Sequence, residues 1–152
     1  MAGIADRAGA DWERKVANHA HNDYGLPWDK APLRGGRDLL DIRGCLDMGW
    51  LIGCKAIHRG VSFGTRVSEA MTQCDRALVN AGRPAETRTI PGRAADAPDR
   101  EYLVVDNGRI VPVQVMMRSG FPVGKAYVVT QYDYFLSLVT ERAAQDGWRH
   151  PA

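Results

Sequence analysis

The sequence predicts a mixed α/β fold, in which helices flank a mixed β-sheet in the order αββαβββα. Apolar residues recur at helical spacing in three segments, which are 10–21, 65–80 and 132–144. Between them lie short apolar runs of strand length, at 39–43, 50–56, 102–105, 110–115 and 127–129. At 152 residues the chain is long enough to fold as one domain, with its core at about 10–144.

The first two helices are predicted from their apolar faces. Trp12, Val16 and Ala20 are spaced by four residues, so they form one apolar stripe, and Glu13 lies beside it. In the second helix Val67, Met71, Cys74 and Leu78 recur at the same spacing. Glu69, Gln73 and Arg76 share another face of that helix.

The strands are predicted from composition and from the turns between them. The run 50–56 is almost entirely apolar, which is typical of a strand covered on both faces. We expect 44–49 to be the turn of a hairpin that joins 39–43 to 50–56. The Asn107-Gly108 pair predicts a second hairpin, because type I′ turns need a positive φ at both central residues. Residues 83–100 contain three prolines without periodicity, which predicts a loop or flexible insertion.

Cysteine usage and hydropathy bear on where the protein works. Cys45, Cys54 and Cys74 show no CxxC spacing, which argues against a disulfide framework and a zinc knuckle and favours a reducing cytoplasm. No apolar run approaches the roughly 20 residues that span a bilayer. The net charge of +2 is only mildly basic, so any nucleic-acid site must be sought in local clusters of arginine.

One constellation indicates phosphodiester chemistry. Asp41 lies in one predicted strand, and position 53 and Lys55 share one side of the next strand, because side chains alternate with period two. Carboxylates and the Cys54 backbone carbonyl are oxygen ligands of the kind that Mg²⁺ prefers. Glu13 could complete the coordination shell from the first helix. An ammonium at Lys55 could orient the attacking water or stabilise developing negative charge.

The order of these residues resembles the PD-(D/E)xK nuclease superfamily, and in particular the archaeal-type Holliday junction resolvases and their small relatives encoded by actinobacterial phages. The resemblance covers most of 10–139, apart from 83–100. The matching segments are Glu13-Arg14, 37–44, 51–55, the helix that carries Glu69 and Gln73, Arg118-Ser119-Gly120, and 124–129 with the helix that follows.

This resemblance implies a restriction-endonuclease-like core that cuts branched DNA with Mg²⁺ or Mn²⁺. It implies Asp41 as the main metal ligand, Lys55 as the catalytic lysine, Glu13 as an accessory acid and Asp38 as an auxiliary acid. The Cys54 carbonyl is the expected further metal ligand. The residues expected to contact DNA are Arg14, Arg34, Arg37, Arg59 and Gln73.

The expected substrate is a four-way junction, and its symmetry sets the expected assembly. A junction with two-fold symmetry needs paired cuts, which favours a symmetric homodimer in the cytoplasm of a bacterial host. The expected dimer contact is formed by the apolar strands 103–105 and 110–115, or by the C-terminal helix.

The chain departs from the superfamily at Gly53, where its members carry Glu or Asp. Three explanations compete: an inactivated variant, replacement by another acid (Asp38, Asp47 or Glu69), or a protein that works by binding alone. We favour the first, because glycine weakens a strand interior and contributes no packing. The predicted function is therefore a metal-dependent DNA endonuclease weakened or inactivated by Gly53. The alternative is a non-catalytic, structure-selective DNA-binding protein on the same fold.

Overall fold

The computed structural model describes residues 4–32, 38–57 and 60–147. The helices of this part are α1 (Ile4–Tyr24), α2 (Phe63–Asn80) and α3 (Tyr132–Gln145). Its strands are β1 (Asp29–Lys30), β2 (Ile42–Arg43), β3 (Trp50–Lys55), β4 (Ala85–Ile90), β5 (Arg100–Val105), β6 (Val111–Met116) and β7 (Tyr127–Val129). These elements confirm the predicted α/β class with a mixed sheet and flanking helices.

The central sheet has the strand order β3-β6-β7. β3 and β6 are parallel, with register from Trp50 opposite Val111 to Lys55 opposite Met116, and β7 is antiparallel to β6. A parallel pair needs a long crossover between its strands, and α2 and the β4–β5 hairpin lie in this connection. The inner residues of β3 are buried, which confirms the prediction of a strand covered on both faces.

Two side-chain hydrogen bonds link helices α1 and α2 to this sheet. Trp12 on α1 donates a hydrogen bond from Nε1 to the Val115 carbonyl over 3.0 Å. Gln114 on β6 donates from Nε2 to the Ala70 carbonyl on α2 over 3.2 Å. The predicted stripe on α1 is confirmed, since Trp12, Val16 and Ala20 are all buried.

All three predicted helices are present, and each extends beyond its predicted limits. α1 gains six residues at its start and three at its end, where Gly25 with a φ of 68° follows it. α2 starts after Ser62, whose hydroxyl oxygen accepts a hydrogen bond from the Thr65 N–H over 3.1 Å, as in a standard N-cap. In the described part of the chain, no helix is long and apolar enough to cross a membrane.

The prediction of a loop throughout 83–100 was wrong. Ala85–Ile90 forms β4, which pairs with β5 from Ala85 opposite Val105 to Ile90 opposite Arg100. Every residue of β4 is exposed, so the strand has no apolar face and left no alternating signal in the sequence. Its pairing with β5 stabilises it instead of burial in the core.

The Asn-Gly hairpin was also wrong, because β5 and β6 belong to different sheets. β4 is the partner of β5, whereas β6 pairs with β3 and β7. Gly108 has a φ of 58°, but Asn107 does not have the positive φ that a type I′ turn requires. The segment is a corner between two sheets.

The first predicted hairpin differs in the same way. β2 is only two residues long and pairs with β1, while β3 pairs with β6. The predicted strand 39–43 is interrupted because Leu40 has a φ of 70°, which is incompatible with extended backbone. One backbone–backbone hydrogen bond, from Asp41 N to Ile52 O over 3.0 Å, still joins the two predicted partners.

Candidate functional site

A strained turn brings Asp41 to β3. The Asp38 carboxylate accepts a hydrogen bond from the Leu40 N–H over 3.0 Å, and the Asp38 carbonyl accepts one from the Asn80 side chain over 2.9 Å. Leu40, two residues after Asp38, is buried and has a left-handed φ of 70°, a conformation that costs free energy for a residue with a side chain. The turn redirects the chain so that Asp41 faces the edge of β3.

Asp41 occupies the edge of β3 that is not taken by β6. Its main-chain N–H donates to the Ile52 carbonyl over 3.0 Å, and its carboxylate accepts from the Cys54 N–H over 2.7 Å. In a strand, alternate residues direct their backbone polar groups to opposite edges. Ile52 and Cys54 therefore face Asp41, and the Cys54 carbonyl points to the same edge as the Asp41 carboxylate.

Several charges act on the Asp41 carboxyl. The pKa of Asp41 is raised from 3.8 to about 6, mainly because the carboxyl is buried and also because the negative charges of Glu13 and Asp38 disfavour its ionisation. The hydrogen bond from Cys54 N–H and the positive charge of Lys55 act in the opposite direction. The residues that the sequence predicted for one site are thus close enough to interact electrostatically with Asp41. They are Asp38, Glu13 and Lys55.

Lys30 belongs to the same region, although the sequence did not predict it. Its ammonium lies 3.5 Å from the Glu13 carboxylate, and both side chains are less than one-fifth exposed. The pairing of Lys30 with Ile42 in the β1–β2 ladder fixes its position. A two-residue strand has no recognisable period, so no sequence pattern could have placed Lys30 beside Glu13.

The residues expected to contact DNA are only partly described. Arg14 is exposed on α1 and pairs with Asp11 over 3.3 Å, and Gln73 is half-buried on α2. Arg34, Arg37 and Arg59 lie outside the described residues. The alternative acids Asp47 and Glu69 are both exposed, and Glu69 pairs with Arg66 over 3.2 Å.

Gly53 lies directly opposite Gln114 in the parallel ladder. A Cβ atom at position 53 would come within 2.3 Å of Gln114 Oε1 and 2.5 Å of its Cδ, far inside normal contact distance. Gln114 is fully buried, so its amide has little room to move aside. The argument that a glycine at 53 contributes no packing was therefore wrong, because Gly53 provides the space that Gln114 fills.

The Gln114 amide is held at one end. Its Nε2 donates to the Ala70 carbonyl over 3.2 Å and lies 3.7 Å from Cys74 Sγ, whereas Oε1 has no hydrogen-bond partner among the described residues. A buried polar atom without a partner costs free energy. The sequence carried a signal for this residue, since Gln114 is the one polar residue of an otherwise apolar strand.

The donor set suits a hydrated metal ion better than one enclosed by protein ligands. In the described part of the chain no group of three or more His, Cys, Asp or Glu side chains is placed to hold a metal. Mg²⁺ keeps several waters and needs only one or two carboxylates. Asp41, with the Cys54 carbonyl at the same edge and Glu13 within electrostatic range, meets that smaller requirement.

The Cys54 thiol is unsuited to nucleophilic chemistry. Burial raises the pKa of Cys54 well above its usual value, and the negative charges of Asp41 and Glu13 act in the same direction. The thiolate, which is the reactive form, is therefore disfavoured at neutral pH.

Comparison of the chain with protein-family models, with curated proteins and with solved structures gave no match. The resemblance to PD-(D/E)xK nucleases therefore remains a prediction.

We expect Gly53→Ala to lower the free energy of unfolding by about 1–3 kcal/mol, because the new methyl group overpacks a filled site. In a Gln114→Ala background the same substitution should cost much less, since the amide that it meets is gone. Urea unfolding of the four proteins of this double-mutant cycle measures the coupling. An equal cost of Gly53→Ala in both backgrounds would contradict the proposed contact.

Asp41→Asn should change how stability depends on pH. A carboxyl with a raised pKa contributes stability that is fully present below 3.8 and is lost as the pH rises through about 6. The asparagine stays neutral and can still accept from Cys54 N–H. The free energy of unfolding of Asp41→Asn, taken relative to that of the original chain, should therefore rise by on the order of 2–3 kcal/mol between pH 4 and pH 7. The check is urea unfolding at both pH values, where a constant difference would argue against a buried charge.

Proposed function

We propose that this chain is a metal-dependent endonuclease for branched DNA, similar to Holliday junction resolvases and weakened by the missing acid at position 53. The observation that carries the proposal is the position of the Asp41 carboxylate. It lies at the edge of β3 that β6 leaves free, 2.7 Å from the Cys54 nitrogen, with a pKa of about 6 and with Lys55 and Glu13 acting on its charge. An acid placed in this way can exchange a proton for a divalent cation near neutral pH.

Each residue of the site has a proposed role. Asp41, Glu13 and the Cys54 carbonyl would hold Mg²⁺ or Mn²⁺, which when bound offsets phosphate charge and lowers the pKa of a coordinated water. The Lys55 ammonium orients the attacking water and stabilises negative charge on the phosphate. Lys30 holds the Glu13 carboxylate in place through their contact.

The rival function is structure-selective DNA binding without cleavage. One observation favours it, which is that Gln114 fills the space beside Gly53. A second carboxylate therefore has no room at the superfamily position. Among the acids that could replace the one missing at position 53, Asp38 is the one whose charge acts on Asp41, because it raises the pKa of Asp41.

The proposal includes a symmetric homodimer working in the cytoplasm. Strand β6 is unsuitable as the dimer contact that was expected at 110–115, because it lies inside the sheet between β3 and β7. Helix α3 is better suited to form the dimer contact, since it carries a stripe of exposed apolar side chains at helical spacing. Its members are Tyr132, Phe135, Leu136 and Val139, which are between 39% and 72% exposed.

Light scattering at micromolar concentration should therefore give twice the chain mass. The double substitution Phe135→Ser and Val139→Ser should reduce it to one chain mass without loss of helical signal in circular dichroism, because it places two hydroxyls on the apolar stripe. A monomeric original chain that still cuts junctions would contradict the dimer.

Metal-dependent cleavage of a labelled four-way junction and of a matched duplex tests the catalytic proposal. We expect weak cleavage of the junction that falls at least about 100-fold in Asp41→Asn and in Lys55→Ala, the loss typical of removing one charge-stabilising group. Lys125→Ala is the matched control for the lysine. The ability of each protein to bind Mn²⁺, followed by electron paramagnetic resonance, should fall in Asp41→Asn alone.

Restoring the acid is the second arm of the same experiment. Gly53→Glu combined with Gln114→Ala should be more active than the original chain, whereas Gly53→Glu alone should be unstable because Gln114 occupies the space. Tight junction binding with no cleavage by any of these proteins would establish the rival function instead.

A further inference from the structure

An arginine and three aromatic rings cluster where the chain leaves β6 and enters β7. The Arg118 guanidinium carbon lies 3.7 Å from the centre of the Phe121 ring and 5.6 Å from that of Tyr127. Phe63, at the start of α2, meets Tyr127 edge-on at 5.6 Å and 69°. We call these four residues the Arg118 cluster.

The rings of this cluster are open to solvent. Phe63, Phe121 and Tyr127 are 45%, 50% and 43% exposed. Aromatic rings that pack a core are mostly covered, so rings left half-open beside a cation are available to a ligand. The guanidinium and the rings already hold one another in place through cation–π and edge-to-face contacts, which reduces the entropy lost when a planar group stacks on them.

Beside the cluster, a cleft of about 580 Å³ separates α1 from the loop after β6. Lys15, Asn18 and Asn22 line it from α1, and Arg118 and Phe121 line it from the loop. Its carboxylate, Asp23, is paired with His19 over 2.5 Å. Within the described residues neither Lys15 nor Arg118 takes part in an ion pair, so the cleft carries two cations and one carboxylate, that of Asp23, beside amide donors and a ring.

The cleft adjoins the candidate catalytic edge through the backbone. Met117 lines the cleft and donates from its N–H to the Lys55 carbonyl over 2.9 Å. Trp12, another lining residue, directly precedes Glu13 in α1. The Arg118 cluster is thus at the carboxyl end of the parallel pair β3 and β6, where Lys55 also lies.

We propose that this cleft binds one unpaired nucleotide of the DNA substrate, with the base against Phe121 and the phosphate between Lys15 and Arg118. A nucleotide combines a π-face with an anion, and these are the two features that exposed rings and cationic side chains recognise. The volume falls in the range of sites for small ligands, about 300–1,000 Å³. The inference rests on the proposed function, since it places in the cleft a nucleotide whose base pair has opened at the branch point of that substrate.

A site for duplex backbone alone is the simpler competitor. Phosphate contacts need only the cations and are indifferent to whether a base is present. Stacking makes the rings necessary, and only where a base is available. The two possibilities therefore differ in one measurable respect, which is whether substituting a ring weakens DNA binding only when the base is present.

The test is fluorescence anisotropy with a short single-stranded oligonucleotide and with a branched DNA, both in EDTA so that cleavage plays no part. Each DNA is made with 2-aminopurine at one unpaired position and again with an abasic site there. Phe121→Leu keeps an apolar side chain but removes the ring. Tyr102→Leu, on the β4–β5 hairpin and 44% exposed, is the matched control.

We expect the original chain and Tyr102→Leu to bind the base-containing DNA alike and to quench 2-aminopurine. Phe121→Leu should bind it at least about fivefold more weakly, the lower limit for loss of one base–aromatic stack, and should bind abasic DNA as the original chain does. Equal binding of both DNAs by Phe121→Leu and the original chain, or an equal loss on both, would overturn the nucleotide site.

The two proposals fail in different ways. Ring-dependent binding in EDTA without metal-dependent cleavage supports the nucleotide site and removes the nuclease. Junction cleavage without ring dependence retains the nuclease and overturns the nucleotide site. No binding of either DNA by the original chain overturns both.

Discussion

The free edge of β3 is the constraint on which the arrangement of this site depends. β6 takes one edge of β3, so the backbone groups that face the other edge need partners. Cys45 and Asp41 supply them: the Cys45 carbonyl accepts from Trp50 N–H over 3.1 Å, and Asp41 uses both its main chain and its carboxylate. Because the backbone groups at this edge need hydrogen-bond partners, the Asp41 carboxylate is held there, beside Lys55.

The elements with a clear period could be predicted from the sequence, and single polar contacts could not. The stripes of α1 and α2 and the apolar run of β3 are repeated signals, so these elements were found, although α1 starts six residues before its predicted limit. The contact of Lys30 with Glu13 and that of Gln114 with Gly53 each depend on one residue pair brought together by tertiary packing. β4 was missed for a related reason, because all its residues are exposed and its pairing with β5 replaces a hydrophobic pattern.

Gly53 and Gln114 are best understood as one unit. Taken alone, the glycine looks like a lost acid, and the glutamine looks like a misplaced polar residue in an apolar strand. Together they fill one volume, with the amide anchored to the Ala70 carbonyl of α2. A substitution at either position therefore changes the packing of the other.

The segment that carries Asp41 also shields the sheet from other chains. β3 is six residues long and nearly all apolar, and such a strand with an open edge is a template for intermolecular pairing and aggregation. Asp41 and Cys45 take up hydrogen-bonding groups along that edge, and an incoming strand would have to displace the Asp41 carboxylate to pair there. The acid that is the candidate metal ligand thus also closes this edge to pairing with another chain.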